Sequence, residues 1–374
     1  MPKGPSYLLI LVVLGVVLMI GGASFTWEHF PSEAYAEDAD SLEFGRDDQV
    51  LDAKFFEGRL WLLSRSGKLW TVAEGDDGAL QMPLSGRALA LCMRSGGPAV
   101  AVQEPGRNDL WRIQEQASDA WRTLGFVRKN GEGIAGLACD ASGVTVLTTR
   151  RAVTFDGATT HTMALSRRIP IWPDHAVLTT PGQIWVALRE GEFGGGLMAI
   201  DRGTGEVREF RRNDSGELCG GPLSPECDPV NAVTPLPWKP DCMVATVGLQ
   251  HFGSRGRLIS ICGDRIEPLY SGPCMGPDGK RWPTTDDDWC SEALYSMVRK
   301  GDALLISGSS GFSLVGSAGL ERPETPPPPR QYGPFEIGFG QDVITVRAYA
   351  RLGRNDDDPF WAASDLLLVE RNPA

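Results

Sequence analysis

The sequence lacks an excess of basic residues, a nucleotide-binding loop and any recognisable catalytic motif. Its 36 lysines and arginines stand against 48 acidic residues, for a formal net charge of −12, which argues against a nucleic-acid partner because phosphate binding needs a basic face. No G-x-S-x-G nucleophile elbow and no CxxC pair occurs, and the four histidines do not stand at zinc-binding spacings beside the cysteines. These absences disfavour a motif-bearing enzyme, and we expect no resident cofactor or catalytic metal.

Long apolar runs are also scarce, and the clearest one lies at the N-terminus. Residues 7–25 are uncharged, a length close to the roughly 20 residues that cross a bilayer core. Lys3 precedes this run and Glu28 follows it, which favours the N-terminus inside and the rest outside. We predict a transmembrane helix or signal anchor in residues 1–25, a linker in 26–40, and a single-pass protein of the bacterial inner membrane, with the remainder in the periplasm or cell exterior. A cleavable signal peptide is the alternative, since Ala34-Tyr35-Ala36 has a small-x-small form.

The chain has eight cysteines, an even number. In an exported protein they are expected to form disulfide bonds. Spacing alone does not fix the connectivity. The pairing we favour joins cysteines that bracket one loop, flank one hairpin or end the innermost strands of adjacent repeats: Cys219 with Cys227, Cys274 with Cys290, Cys242 with Cys262, and Cys92 with Cys139.

Turn-forming residues are abundant, with 45 glycines and 27 prolines, and they punctuate a repeated β-rich pattern. Seven segments each contain a short apolar strand, a tight turn and a strongly β-prone strand. The second strands begin near residues 60, 99, 144, 184, 243, 303 and 343, a mean step of about 47 residues that is typical of four-stranded propeller blades. The predicted fold is all-β, a seven-bladed β-propeller of four-stranded blades over residues 41–371.

The seventh repeat is one strand short in this interpretation. Its first strand is assigned to the segment that follows Gly333, and its third strand to residues 365–370, after which four residues remain. Residues 41–45 precede the first repeat and could supply the missing strand. We therefore predict ring closure by this N-terminal strand, paired with residues 365–370, which would leave no free blade edge.

One repeat carries a family resemblance. Residues 184–210 contain Trp185, the run Gly194-Gly-Gly-Leu197, and Asp201 followed by Thr204-Gly205. This pattern resembles the repeats of the β-propeller superfamily, of the WD40-like or YVTN-like kind, found in bacterial periplasmic sensors and quinoprotein-like proteins. The resemblance implies the fold and leaves the activity open, because propellers host enzymes, sensors and scaffolds alike.

The predicted loops are unequal on the two faces of the ring. Fourth-to-first and second-to-third connections emerge on one face, here called the long-loop face, and they include residues 211–229, 271–290 and 350–364. Elaborated loops on a rigid scaffold are the usual place for binding. The candidate binding residues on this face are Phe193, His251, Phe252, Arg255, Asp286, Asp287, Asp288, Trp289, Asp356, Asp357, Asp358 and Trp361.

Each of these candidates has an alternative interpretation. The two aspartate runs could hold calcium through several oxygens, or they could be solvated turns. The aromatic residues suit an interface hot spot, or they could pack a loop onto its blade. His251 with Arg255 is the nearest approach to an anion-binding or catalytic group, although a histidine in a hairpin loop can simply be exposed.

Two functions follow from these patterns. The first is a non-enzymatic binding or scaffold module, anchored in the membrane, whose long-loop face takes a protein or glycan partner. The alternative is a hydrolase, lactonase or lyase of the propeller kind, with a metal or carboxylate site over the central channel. That enzyme would use polar residues near the starts of the inner strands, namely Asp52, Asp174, His175, Asn231, Glu292 and Glu336.

Overall fold

The computed structural model describes residues 49–371, apart from 118–119, 158, 171–174, 218, 252, 274–289, 322–325 and 349–365. These residues belong to the second of two compact units, residues 45–374. None of the helices in the described residues has the length and hydropathy needed to cross a bilayer. The predicted anchor, the linker and the proposed closing strand, residues 1–45, lie outside the described residues.

The described chain folds into seven antiparallel four-stranded sheets, each built from consecutive strands. The fold prediction is confirmed in this respect. The strands of blades one to three, from axis to rim, are β1 (Val50–Phe56), β2 (Arg59–Ser64), β3 (Leu69–Ala73), β4 (Leu80–Gln81), β5 (Arg87–Arg94), β6 (Gly97–Gln103), β7 (Leu110–Ala117), β8 (Ala120–Arg128), β9 (Ile134–Asp140), β10 (Gly143–Thr148), β11 (Arg151–Phe155) and β12 (Thr160–Ala164).

Blades four to six follow the same order from axis to rim. Their strands are β13 (Ala176–Thr179), β14 (Gln183–Arg189), β15 (Gly195–Asp201), β16 (Val207–Phe210), β17 (Val230–Pro235), β18 (Met243–His251), β19 (Gly253–Cys262), β20 (Arg265–Tyr270), β21 (Leu294–Lys300), β22 (Ala303–Gly308), β23 (Gly311–Gly316) and β24 (Gly319–Leu320). The seventh sheet contains β25 (Arg330–Tyr332), β26 (Phe335–Phe339), β27 (Val343–Ala348) and β28 (Leu366–Glu370).

The core lies between adjacent blades. Second strands such as β10 and β22 are buried along their whole length, because both faces of each sheet pack against a neighbouring blade. This explains why these strands read as continuous apolar or small-residue runs rather than as alternating patterns. Rim strands such as β12 are largely exposed. One apolar cluster, which includes Phe55, Phe335 and Val369, joins the first blade to the seventh.

The seventh blade corrects the predicted strand order. The strand β28 is innermost and contacts both β21 and β1, whereas β26, predicted as the inner strand, is third from the axis. The backbone N–H of Leu368 donates to Ser296 Oγ at 3.0 Å, and Glu370 lies 3.5 Å from Arg299, so β28 runs alongside β21. The chain therefore reaches the rim of this blade first and returns to the axis last.

The strand order of the seventh blade leaves no gap for the N-terminal strand that was predicted to close the ring. The seventh blade has four strands from residues 330–370 alone, so the expectation of a missing strand was wrong. The segment 326–329 leads to the rim, and the carbonyl oxygen of Pro327 would lie 2.8 Å from a Cβ added to Gly338 in β26. Arg330 pairs with Asp77 at 2.6 Å and Arg371 pairs with Glu74, so both ends of this blade bond to the first blade.

Three of the predicted disulfides are present in the described residues. Cys92–Cys139 joins β5 to β9, Cys219–Cys227 closes the connection between β16 and β17, and Cys242–Cys262 spans the β18–β19 hairpin. Cys290 is also disulfide-bonded. Its predicted partner, Cys274, lies outside the described residues.

Candidate functional site

The long-loop face is most elaborate around blades four to six. The connection between β16 and β17 covers residues 211–229 and the connection between β20 and β21 covers residues 271–293. A single turn of 3₁₀ helix, Gly191–Phe193, joins β14 to β15. Most connections on the opposite face are short turns, so the described structure keeps the asymmetry that the sequence predicted.

The turn Gly191–Phe193 is held in place by the loop of residues 211–229, which the Cys219–Cys227 disulfide closes. Gly194 has a φ of +87°, and an added Cβ there would lie 2.1 Å from the Pro225 carbonyl oxygen. The N–H of Gly195 donates to this same oxygen at 2.8 Å, and the N–H of Gly196 donates to the Asp228 carbonyl oxygen at 2.9 Å. The glycine run is therefore a docking point for a neighbouring loop, and only glycine fits its left-handed, crowded start.

A buried ion pair holds the same loop against blade five. The carboxylate of Asp228 accepts hydrogen bonds from the N–H of Ser224 at 2.7 Å and from the Arg257 guanidinium. Arg257 Nε also donates to the Pro222 carbonyl oxygen at 2.7 Å. Burial raises the pKa of Asp228, and the charge of Arg257 opposes that shift. Losing either partner would leave a buried charge without compensation, so this pair fixes the loop's position.

The β18–β19 hairpin extends past its blade on the long-loop face. The first residue of β17, Val230, pairs with Val247, whereas β18 and β19 continue to pair up to His251 and Gly253. The base of this extension is fastened to blade six. The N–H of Ala293 donates to Ser254 Oγ at 3.1 Å, and the N–H of Gly256 donates to Ser291 Oγ at 2.9 Å.

Two of the candidate binding residues lie beside this hairpin. Phe193 is 68% exposed, and its 3₁₀ turn contacts β18. Arg255 is exposed and pairs in register with Leu249 of β18. Arg255 forms no ion pair with any other described residue. The long-loop face thus presents an exposed aromatic ring on a turn that contacts β18 and an exposed arginine on β19, the strand paired with β18.

The remaining candidates stay predictions. His251 ends β18, but its side chain is not among those described. Phe252, Asp286, Asp287, Asp288, Trp289, Asp356, Asp357, Asp358 and Trp361 lie outside the described residues. Within the described part of the chain, no group of three or more His, Cys, Asp or Glu side chains could hold a metal ion.

A buried carboxyl group lies at the end of the 271–293 connection. Glu292 is 4% exposed, and it accepts hydrogen bonds from the Ser310 N–H at 3.2 Å and from Tyr270 Oη at 3.5 Å. Burial raises its pKa to about 6, and these hydrogen bonds only partly offset the cost of charging it. The negative charge of Glu292 at neutral pH therefore destabilises the native state.

We expect Glu292→Gln to stabilise the fold at neutral pH by up to about 2 kcal/mol, the cost implied by the raised pKa. The native state binds the proton more tightly than the unfolded chain, so this cost is absent well below pH 4.5, grows through pH 4.5–6 and is complete above pH 6. Urea unfolding of both proteins from pH 4 to pH 8 measures the difference. A gain that is the same at every pH would contradict this assignment.

Glu226→Gln is the matched control. The pKa of Glu226 is held below its usual value, first by its own backbone N–H and also by Arg211. Its charged form is therefore favoured in the native state, and the substitution should lower stability at neutral pH, with the loss fading as the pH falls through the folded pKa. The two glutamines should thus show opposite dependences on pH.

The central channel forms a second site. The seven inner strands surround a cavity of about 920 Å³, which is near the upper end of the ~300–1,000 Å³ typical of ligand pockets. A smaller cavity of about 180 Å³ lies where the inner strands begin, on the long-loop side, and here it is called the channel mouth. Its polar lining includes Asp52, Lys54, His175, Arg189, Asn231 and Tyr295.

Three residues suggested for the enzyme alternative meet at the channel mouth, and the others do not. Asp52, His175 and Asn231 line it. Glu292 is buried beside Tyr270 and Ser310, Glu336 lies on β26, third from the axis, and Asp174 is outside the described residues. Lys54 and Arg189 could not be recognised from the sequence, because Lys54 lies in an ordinary inner strand and Arg189 ends a second strand.

No family model and no curated protein matches this chain. Solved structures do match, and these neighbours are β-propellers. YCF48 bound to D1 peptide is 11% identical over 83% of this chain and 95% of that chain, with a TM-score of 0.49. BamB from Moraxella catarrhalis is 13% identical over 82% and 95%, with a TM-score of 0.45. The extracellular domain of BT4673, a putative one-component system from B. thetaiotaomicron, is 12% identical over 81% and 38%, with a TM-score of 0.48. At these identities the likeness concerns the fold alone.

Proposed function

We propose that this propeller is a non-enzymatic binding or scaffold module that takes a protein partner on its long-loop face, around Phe193 and Arg255. The observation that carries the proposal is an exposed aromatic ring on a rigid turn. Phe193 is 68% exposed, yet its turn is fixed by Pro225 below it and contacts β18 beside it. An anchor held in place before binding loses little conformational entropy on association.

The chemistry of this surface suits a protein interface. Aromatic and arginine side chains dominate the binding energy of such interfaces, surrounded by polar residues that exclude water. Phe193 supplies the apolar anchor, and Arg255 supplies an exposed guanidinium. Glu226 and Arg211, paired at 2.5 Å nearby, would belong to the polar rim, where exposed pairs contribute little energy.

The proposal includes a location outside the cytoplasm, held at the bacterial inner membrane by residues 1–25. The uncharged run of residues 7–25 supports it. The three disulfides between described cysteines and the bonded state of Cys290 support it independently, because such bonds persist in oxidising compartments. A membrane anchor would favour a partner that is itself membrane-associated.

Photocrosslinking tests the binding surface. Benzoylphenylalanine replaces Phe193 in the full chain, expressed in its own cells, and we expect a discrete adduct with one protein. Phe126 is the matched control, since it is also a phenylalanine, 54% exposed, but lies on the rim strand β8. Arg255→Glu should reduce the adduct at position 193 at least tenfold because a guanidinium anchor is replaced by the opposite charge.

Other outcomes of this experiment are informative. Equal adducts at positions 193 and 126 would show that the long-loop face is not selective, and the proposal would fail. An adduct whose added mass is removed by glycosidase would replace the protein partner with a glycan. The adduct should sediment with membranes, and removing residues 1–25 should abolish both sedimentation and export; unchanged fractionation would refute the anchor.

A further inference from the structure

We propose that Glu292 makes partner binding at Arg255 dependent on pH, because the backbone around Arg255 is held most firmly while the carboxyl group of Glu292 is neutral. The inference rests on the function proposed above for this surface, and it adds a regulation of the same site. It follows from the hydrogen bonds that join Glu292 to the Arg255 backbone, and from the burial of its carboxyl group without a cation.

The backbone around Arg255 is bonded to the segment that contains Glu292. Residues 291–293, together with Ser254 and Gly256 on either side of Arg255, are here called the clamp. The N–H of Ser291 donates to the Ser254 carbonyl oxygen at 2.9 Å, and the N–H of Gly256 donates to Ser291 Oγ at 2.9 Å. The position of Arg255 in β19 is therefore set by residues 291–293.

Glu292 is the central residue of the clamp. Its N–H donates to the Gly272 carbonyl oxygen at 2.9 Å, and its own carbonyl oxygen lies where a Cβ added to Gly256 would be. A Cβ added to Gly272 or to Gly308 would collide with the carboxyl oxygens of Glu292, so main chain encloses this group closely. The charged carboxylate can be hydrated only if that main chain separates.

No cation compensates the charge of this carboxyl group. Among the described residues, Glu292 has no arginine or lysine partner. The two arginines of the neighbouring strand β19, Arg255 and Arg257, interact with Asp228 instead and oppose the rise of its pKa. A buried charge without a partner destabilises the arrangement that encloses it, so ionisation of Glu292 favours an open clamp.

Glu292 is the group of this cluster that titrates near neutral pH. Tyr270 from β20 and Tyr295 from β21 also face it, and burial raises the pKa of both phenols, that of Tyr295 to about 12. The turn between β22 and β23 contributes the backbone N–H of Ser310, which does not titrate. Burial raises the pKa of Glu292 to about 6, so its carboxyl group changes charge in mildly acidic solution.

The difference between the two pKa values of Glu292 sets the size of the effect. In the open clamp the carboxyl group meets water and has its ordinary pKa of 4.5, whereas in the closed clamp its pKa is about 6. The closed form binds the proton more tightly, so the equilibrium constant for opening rises from pH 4.5 and levels off above pH 6. A difference of about 1.5 between the two pKa values corresponds to a rise of at most about 30-fold.

Hydrogen exchange of the purified full chain tests the clamp without any partner. Corrected for the intrinsic effect of pH, the N–H groups of Ser291, Ala293 and Gly256 should exchange at least tenfold faster at pH 7.5 than at pH 4.5. Their exchange should not respond to low urea concentrations, which marks a local opening, whereas that of β10 should respond because it needs global unfolding. Clamp exchange that is constant with pH, or that follows urea as β10 does, would overturn the proposal.

Two matched substitutions identify the titrating group. Glu292→Gln, which cannot ionise, should keep clamp exchange slow at every pH. Glu267→Gln is the control, since Glu267 lies on the adjacent strand β20 and pairs with Arg265, and it should leave the pH dependence unchanged. A pH dependence that persists in Glu292→Gln would assign the proton to another group and contradict the proposal. If Glu292→Gln fails to fold, the exchange of the unmodified chain decides alone.

Crosslinking at position 193 tests the consequence for binding. The chain with benzoylphenylalanine at this position is irradiated in lysate at pH 5 and at pH 7.5. We expect at least twofold more adduct at pH 5, because a firmly held Arg255 loses less conformational freedom on association, and equal amounts at both pH values when Glu292→Gln is also present. Equal adducts without that substitution would refute the regulation. If no adduct formed at either pH, the proposed binding surface would fail, while the exchange data would still decide whether the clamp responds to Glu292.

Discussion

A chain that ends at residue 365 is expected to lose the cooperative unfolding of the full protein. This truncation removes β28, the innermost strand of the seventh blade, which contacts both β21 and β1. Leu368 and Val369 would no longer fill the apolar clusters on either side of that blade. Their burial, the hydrogen bond to Ser296 and the pairing with β27 would all be lost at once, a deficit comparable to the whole stability of a domain. Thermal unfolding followed by near-ultraviolet circular dichroism measures the effect.

Two controls separate this effect from simple loss of mass or charge. Glu370→Gln keeps the strand and removes the charge that lies 3.5 Å from Arg299. Burial raises the pKa of Glu370 and Arg299 opposes that shift, so the lost ion pair and the lost desolvation cost partly cancel, and the net effect should stay below about 1 kcal/mol. A chain that begins at residue 46 lacks the strand predicted to close the ring. If that chain unfolded while the truncated chain melted normally, the N-terminus would be the closing element and the role given to β28 would be wrong.

The blades were predictable because their periodicity has one physical cause. A second strand packed on both faces needs an unbroken run of apolar or small residues, as in Gly143–Thr148 and Ala303–Gly308, and such runs recur at the blade spacing. The disulfides were predictable for a related reason. Once Cys92 and Cys139 are placed on the inner strands of adjacent blades, their Cα atoms must be close, and they lie 5.6 Å apart.

The order of the seventh blade was not predictable in this way. Alternation and apolar content are the same whether β26 or β28 lies at the axis, because antiparallel pairing of β26, β27 and β28 holds in both orders. What decides between them is which strand meets Ser296 and the first blade, a contact between distant parts of the chain. Asp52, His175 and Asn231 of the channel mouth were predicted from the sequence, but Lys54 and Arg189 were missed, because they come together with the other three only when the ring closes.

Removing the Cys92–Cys139 disulfide with the double substitution Cys92→Ala and Cys139→Ala is expected to lower the free energy of unfolding by about 4 kcal/mol. The bond joins residues 47 apart, and in the chain-entropy model a longer loop restricts the unfolded state more. Cys219–Cys227 spans only 8 residues, so Cys219→Ala with Cys227→Ala should cost about 2.5 kcal/mol on the same basis. Urea unfolding of both variants at fixed pH measures the difference.

The Cys92–Cys139 and Cys219–Cys227 disulfides should also differ in their effect on partner binding at Phe193. Cys92–Cys139 lies on the inner strands β5 and β9, so its loss should leave the adduct at Phe193 intact in protein that is still folded. Cys219–Cys227 closes the loop that supports the Phe193 turn through Pro225 and Asp228, so its loss should reduce that adduct severalfold although it costs less stability. If the adduct followed global stability in both variants, the rigid support under Phe193 would not be what makes this surface bind.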